Sequence, residues 1–413
     1  MSELYKLTNL IDFIGGSQPP KSTFSEIKKD GYVRLIQIRD YKSDNYIVYI
    51  PEDSTKKFCT KDEIMIGRYG PPVFQILRGI EGAYNVALMK AKPKIDELSS
   101  EYLFRFLQNP SIQNYIIGLS QRSAGQSGIN KEALEEYEML LPSLSEQQRI
   151  VSKLDLLFAK IDKSIELHQK NMDEADAFMG SVLNEVFDRH SVLDTESTIN
   201  QWIPNQVRDD EKWEKNVLLK DITSKIGSGA TPSGGQKAYK TEGISLIRSM
   251  NVHDYGFRFK NLAFIDDTQA KKLSNVTVEA NDVLLNITGA SVARCCIVDE
   301  SILPARVNQH VSIIRLKNDM LPKFLHYYLI SPSIKSDLLF SSSGGATREA
   351  ITKSMIESFI VPLPPLQIQQ KVVDYLDSVS EKMEKVKSIQ KEKMESLKEL
   401  KSSILDKAFR GEL

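Results

Sequence analysis

A ten-residue string, Leu141-Pro142-Ser143-Leu144-Ser145-Glu146-Gln147-Gln148-Arg149-Ile150, returns as Leu363-Pro364-Pro365-Leu366-Gln367-Ile368-Gln369-Gln370-Lys371-Val372, and both times a long charged helical pattern follows. A repeat on this scale constrains the fold more than composition does, because each copy must build the same supersecondary unit. From about residue 101 the copies align at a constant offset of 222: Asn109-Pro110-Ser111-Ile112 falls on Ser331-Pro332-Ser333-Ile334, and Ile129 on Ile351. Near the start the offset is 212, with Leu7 on Leu219 and Ile14-Gly15 on Ile226-Gly227. The second copy has therefore gained about ten residues in its middle, where surface loops tolerate insertion. Such a chain is suited to recognise something with two parts.

Each copy reads as mixed α/β. Val33–Ile38, Val73–Ile76, Asn85–Met89, Ile244–Ile247, Val283–Ile287 and Val311–Leu316 are short, apolar or β-branched runs bounded by Gly, Asp or Asn, the pattern of buried strands. Tyr102–Gln108 and Phe324–Ile330 read as helices stopped by Pro110 and Pro332. The expected organisation is a domain over residues 1–144, a long helix over 145–187, a polar linker without sustained period over 188–215, carrying Trp202 and Trp213, a second domain over 216–366 and a second long helix over 367–413. At 413 residues the chain is too long for one ordinary core, which agrees with two domains.

The two helices carry the strongest periodicity. Apolar or small residues fall at Ile150, Leu154, Leu157, Ile161, Ile165, Met172, Ala175, Met179, Val182 and Val186, and again at Val372, Leu376, Val379, Met383, Val386, Met394, Leu397, Ile404 and Ala408. This 4-3 spacing predicts coiled-coil packing, with His168, Gln390 and Lys401 as polar seam positions that help fix register. Mutual antiparallel pairing is expected, giving a pseudo-twofold repeat. Roughly 40 residues at about 1.5 Å each make each helix a rod of about 60 Å, with a reading domain expected at either end of the pair.

No apolar run reaches the roughly 18 residues that span a bilayer, and the first residues lack an apolar signal core, so a cytoplasmic protein without membrane contact is expected. Cys59, Cys295 and Cys296 have no C-x-x-C spacing and read as reduced, structural cysteines. The formal net charge of −1 argues against a protein that holds nucleic acid by bulk electrostatics. Charge is unevenly placed, however: residues 1–144 carry 18 basic and 18 acidic residues, whereas 211–366 carry 19 and 15. DNA binding by such a chain needs local loops and a partner's help.

The order of domain, long helix, domain, long helix resembles the specificity (S) subunit of a Type I restriction-modification system across nearly the whole chain. The carriers are the Leu141-Pro142 and Leu363-Pro364 junctions with Gln147 and Gln369-Gln370, the Gly-rich stretches before them, and Ala408-Phe409-Arg410-Gly411-Glu412-Leu413. The second junction departs in having Ile368 where the first has Glu146. The resemblance implies a non-catalytic, sequence-specific DNA-binding subunit that reads a bipartite target. It further implies two methyltransferase (M) subunits using S-adenosylmethionine and motor-nuclease (R) subunits using ATP and Mg. No cofactor is expected on this chain itself.

Duplex reading needs side chains presented to base edges and Gly-rich loops that approach phosphates. In the second domain the candidates are Ser228 and Thr231, Arg248 and Asn251, Asn286 and Thr288, Arg306 with Asn308 and Gln309, and Thr347 with Arg348. In the first they are Ser17 and Gln18, Arg39, Arg68 and Tyr69, and Gln121, Arg122 and Gln126. The copies agree in scaffold strings and differ at these positions, as two readers of unlike half-sites should.

Catalysis is not expected here. The sequence has no G-x-x-x-x-G-K-[ST] phosphate loop, and its five histidines, His168 and His310 among them, assemble no metal or nucleophile pattern. Gly70-Pro71-Pro72-Val73-Phe74 resembles an amino-methyltransferase motif but lacks the amide or carboxylate that would hold the target amine, and reads as a turn. Glu26-Ile27-Lys28 reads as surface charge. The alternative from another class is a coiled-coil scaffold joining two protein-binding modules, which predicts no salt-dependent retention of DNA.

Overall fold

The protein is described from a computed structural model, covering residues 3–70, 72–121, 128–188, 216–232, 234–342 and 350–413. It divides into two compact units, Met1–Gln169 with Lys391–Leu413, and Lys170–Gln390. The division cuts both long helices, Leu144–Asp188 and Leu366–Phe409, so each unit holds the beginning of one and the end of the other.

The strands of the first unit are β1 (Glu3–Lys6), β2 (Ile11–Gly15), β3 (Tyr32–Ile36), β4 (Tyr49–Pro51), β5 (Phe58–Cys59), β6 (Ile64–Gly67), β7 (Gln75–Leu77), β8 (Gly82–Tyr84), β9 (Leu88–Pro93) and β10 (Glu138–Leu141). They form two four-stranded sheets, in the orders β2-β9-β6-β7 and β4-β3-β8-β5, and the pair β1-β10. The second unit continues with β11 (Asn216–Leu218), β12 (Thr223–Ser228), β13 (Ile244–Ile247), β14 (Val252–His253), β15 (Gly256–Phe257), β16 (Ala263–Ile265), β17 (Thr277–Val278), β18 (Val283–Asn286), β19 (Cys295–Ile297), β20 (Ala305–Val307), β21 (Val311–Leu316) and β22 (Ile360–Pro362). Its sheets, β12-β21-β18-β19 and β16-β13-β20-β17, and its pair β11-β22 repeat the first unit strand for strand. The hairpin β14-β15 is additional and lies where the second copy is longer.

Sequence patterns placed most elements, with local exceptions. Asn85–Met89 is not one strand: the Asn85 side chain accepts the Ala87 amide at 3.1 Å, and this turn delays the strand to Leu88. Strand β7 starts at Gln75, because Phe74 takes a positive φ of 60° while its ring is fully buried, so Val73-Phe74 is a buried turn. Pro110 and Pro332 open further helices, Pro110–Gln121 and Pro332–Ser342, rather than only ending the preceding ones.

Ends of the long helices are core elements. In the first unit Leu405, Ala408 and Phe409 join Leu7, Phe13, Tyr102, Leu103 and Leu154 in one apolar cluster; in the second Val182, Leu183, Val186 and Phe187 join Phe324, Leu325 and Leu376. The Phe409 ring lies 5.0 Å from Tyr102 and 5.4 Å from Phe106, and its repeat mate Phe187 lies 5.6 Å from Phe324 and 5.3 Å from Tyr328. Ser111 donates to Asp406 and, at the equivalent place, Ser333 donates its amide to Asn184 at 3.0 Å.

Pairing of the helices is antiparallel in each unit. Arg149 reaches the Leu413 carbonyl at 2.8 Å and Asp162 takes Lys401 at 2.7 Å in the first; Asp176 takes Lys387 at 2.9 Å in the second. One residue number rises as the other falls by about as much. Of the seam positions, Phe158 is buried where Leu157 is half-buried, Lys401 also lies over the Phe158 ring at 4.8 Å, and Gln390 accepts from Asn171 at 3.4 Å. Between Ile161 and Ala175 the seam positions Ile165, His168 and Met172 are half-buried.

The repeated Leu-Pro string owes its sequence to a buried amide. Gln147, with no exposed surface, donates to the Glu97 and Pro142 carbonyls at 2.6 and 2.9 Å and accepts the Ser99 amide at 2.9 Å. Gln369 makes the same three bonds 222 residues on, to Asp319 at 3.0 Å, Pro364 at 2.8 Å and Leu321 at 2.7 Å. A glutamine here ties the start of each long helix to the loop that opens the helix Ser100–Leu107 or Pro322–Ile330.

Cys59, Cys295 and Cys296 are free and buried. Burial pushes the Cys59 thiol up to about 11 and the Cys296 thiol up to about 12, which leaves both poor nucleophiles at neutral pH. No helix among the described residues is long and apolar enough to cross a membrane.

Candidate functional site

Strands β2 and β6 both pair antiparallel with β9, so they run the same way, and β3 runs parallel to β8. The chain ends of β2 and β6 therefore lie at one edge of their sheet, and those of β3 and β8 at one edge of the other. Gly16 joins the two edges: its amide donates to Leu88 O at 3.1 Å, and a Cβ there would sit 2.0 Å from the Asn85 carbonyl oxygen. Only glycine permits that approach. Gly229 occupies the same place in the second unit, donating to Asn308 O at 3.1 Å, with a Cβ 1.7 Å from the Val307 oxygen.

Around this crossing the candidates of the first unit assemble. Ser17 hydrogen-bonds Thr55, and Gln18 donates to the Pro19 carbonyl at 3.4 Å. Arg39, exposed on the turn after β3, stacks over the Tyr46 ring at 5.2 Å, and Tyr46 is itself 62% exposed. Arg68 donates to Val86 O at 3.3 Å and lies 5.3 Å from the Tyr69 ring; Tyr69 bridges to Gly128. Gln121 ends the helix Pro110–Gln121, and its side chain lies outside the described residues, as do Arg122 and Gln126.

The second unit builds the equivalent edge with other side chains. Thr288 takes the place of Tyr69, bridging to Ala350 as Tyr69 does to Gly128. Thr288 hydrogen-bonds His310 Nδ1, Gln309 Nε2 lies 3.0 Å from His310 Nε2, and the Thr231 hydroxyl donates to Gln309 Oε1. Arg248 lies 5.3 Å from the Tyr239 ring and donates to the Asn261 carbonyl; Met250, on the next turn, is 42% exposed. Ser228 is exposed at the end of β12. Thr347 and Arg348 lie outside the described residues.

Four candidates are built into scaffold rather than presented. Asn251, fully buried, accepts the Arg248 amide at 3.1 Å and donates to Arg258 O at 2.8 Å; the buried Asp40 caps the matching turn of the first unit by accepting the Gln37 amide at 3.1 Å. Burial pushes the Asp40 carboxyl up from its ordinary range, opposed by that amide and by Arg34 at 3.7 Å. Asn308 accepts the His310 amide at 3.0 Å just as Asn85 accepts that of Ala87. Asn286, also fully buried, donates to Ser249 O at 2.9 Å and Ser291 Oγ at 3.2 Å, tying two turns together. Arg306 lies within β20, half-buried, its guanidinium on the Ala270 and Ala305 carbonyls at 3.2 and 2.9 Å. Polar residue type drew attention to all four, and burial gives them to the protein's own backbone.

Sequence reasoning missed Tyr46 and Val86 at these same edges, and passed over His310 and Met250, the latter lying inside the candidate string from Arg248 to Asn251. An aromatic inside Lys42-Ser43-Asp44-Asn45-Tyr46 is the one signal that stood out from its polar neighbours. The edges thus offer arginines, amides, hydroxyls and exposed apolar tips, with no cluster of three metal-ligating side chains among the described residues.

The family model for the Type I restriction modification DNA specificity domain matches twice, at residues 2–174 and 210–393. The Type I restriction enzyme EcoBI specificity subunit of Escherichia coli is 25% identical over 95% of this chain and 82% of its own length. The putative type I restriction enzyme MjaX specificity subunit of Methanocaldococcus jannaschii is 24% identical over the whole chain and 93% of its own. A solved chain, from work on complex assembly and conformational transition of the type I R-M system, shares the fold with a TM-score of 0.68, 20% identity and coverage of 100% of this chain and 98% of that one. Two matched domains over most of the sequence, on a duplicated α/β scaffold, place this chain in the family of Type I restriction-modification DNA specificity subunits.

Proposed function

We propose that this chain reads a bipartite duplex DNA target, one half-site per unit, and directs adenine methylation and cleavage carried out by two M subunits and the R subunits of a Type I complex. The observation that carries this reading is the pair of equivalent strand-end edges: each frame crosses at a glycine, Gly16 or Gly229, pressed against a backbone carbonyl, while Arg39 answers Met250, Tyr69 answers Thr288 and Val86 answers Gln309. A common frame with unlike outward side chains is what reading two different words requires. S-adenosylmethionine, ATP and Mg belong to the partners in this reading. The near-neutral charge of the chain fits a reader held on DNA by a basic partner.

Filter binding of the complex to duplexes carrying its methylome-derived motif tests the reading. Retention should fall steeply with salt, and Arg39→Ala or Arg68→Ala should lower the salt slope by about 1 if that guanidinium meets a phosphate. Absence of salt-dependent retention would favour a scaffold for protein modules. The spacing between half-sites is proposed to follow helix length: four residues inserted into both long helices in register, about 6 Å or roughly two base pairs of rise, should lengthen the preferred spacer. An unchanged spacer counts against that part of the reading.

A further inference from the structure

Resting on the functional reading above, we propose that Gln309 reads an adenine in the half-site of the second unit, and that Thr231 and His310 are the residues that position its amide. Gln309 is exposed at the strand-end edge, on the loop between β20 and β21. An exposed glutamine ordinarily rotates freely and reads poorly. This one is held at both ends: Thr231 donates its hydroxyl to Oε1, and Nε2 lies 3.0 Å from His310 Nε2.

With the Gln309 carbonyl on Thr231, the hydrogen bonds of this chain run in one direction. An amide nitrogen can only donate, so His310 Nε2 accepts, its ring proton sits on Nδ1, and Nδ1 donates to the Thr288 hydroxyl. That leaves Gln309 with one N–H and one carbonyl lone pair for a further partner, on the two polar atoms of one amide group. Adjacent donor and acceptor match the N7 acceptor and N6 amino donor that adenine shows in the major groove, and no other base shows that pair there.

The first unit presents a different chemistry at the same point. His310 O accepts the Ile287 amide at 3.0 Å as Ala87 O accepts the Arg68 amide at 2.8 Å, which places Val86 opposite Gln309 in the repeat. Val86 is 40% exposed and offers only methyl groups. The adenine contact therefore belongs to one half-site only.

The test uses the full chain purified with its methyltransferase partner. Methylome sequencing first gives the target, and competition with duplexes changed at one base pair at a time then gives the discrimination at every position. Gln309→Ala should lose about tenfold or more of the discrimination at one A·T position of one half-site and leave the other positions alone. Gln309→Glu should move the preference there towards cytosine, whose amino group donates to a carboxylate. Thr231→Val and His310→Phe should weaken discrimination at that same position, and Thr231→Ser should retain it. Unchanged preference at every A·T position in Gln309→Ala, or a uniform loss at all positions, would overturn the proposal. A wild-type complex without any sequence preference would overturn the functional reading instead, and is told apart because no variant is needed to see it.

Discussion

Phe409 packs against Tyr102 with ring centroids 5.0 Å apart, so the helix that follows the second domain in sequence completes the core of the first. Phe187 does the converse against Phe324. Truncating a buried phenylalanine costs about 3–5 kcal/mol. Phe409→Ala should loosen the first unit and Phe187→Ala the second, read as faster amide exchange in residues 100–121 and 322–342 respectively. Equal loosening of both units by either variant would contradict the exchange of helix ends.

Gln147 and Gln369 should behave as twins. Each satisfies three backbone groups from a site with no exposed surface. Removing such an amide strands those groups, at about 1–3 kcal/mol for each one left without water. Gln147→Ala and Gln369→Ala should therefore each lower urea stability by about 3 kcal/mol, whereas Gln148→Ala, on the exposed face, should change it by less than about 0.5 kcal/mol.

His326 gives the second unit an acid limit. Its Nε2 donates to Asp254 O at 2.8 Å and lies 3.2 Å from Cys295 O, and burial lowers its pKa from the ordinary value, with the nearby Lys323 adding to the effect and Asp254 opposing it. The unfolded chain takes a proton on this ring near pH 6.5, and the folded chain does not. Stability is therefore full above about pH 6.5 and falls as pH drops below it, by up to about 1.4 kcal/mol per pH unit until the folded ring itself titrates. Urea midpoints measured from pH 7.5 to 5 should decline more steeply for the wild type than for His326→Gln, which has no ring proton to gain.

The duplicated architecture was legible because its signals are long: a constant offset, two heptad seams and the repeated junction each run over many residues. What escaped depends on single contacts. The pattern of Ile150, Leu154 and Ile161 predicted a seam, yet Phe158 rather than Leu157 fills it, a choice set by how the two helices face each other. Reading residues were harder still. Asn251 and Asn286 look like base readers by type, but whether an amide faces a groove or a turn is decided by burial, and one sequence does not display burial. Tyr46 and Val86 show the reverse case, apolar side chains left outside where pattern alone would put them in a core.

The central claim is that each unit reads its own half-site through its strand-end edge. Methylome sequencing of cells carrying the partner methyltransferase and either the wild-type chain or one changed at Met250 and Gln309 together tests it most directly. The account predicts a bipartite motif in the wild type, and in the variant a motif altered or relaxed in one half with the other half and the spacer preserved. A variant motif identical to the wild type, or one changed in both halves, would contradict it.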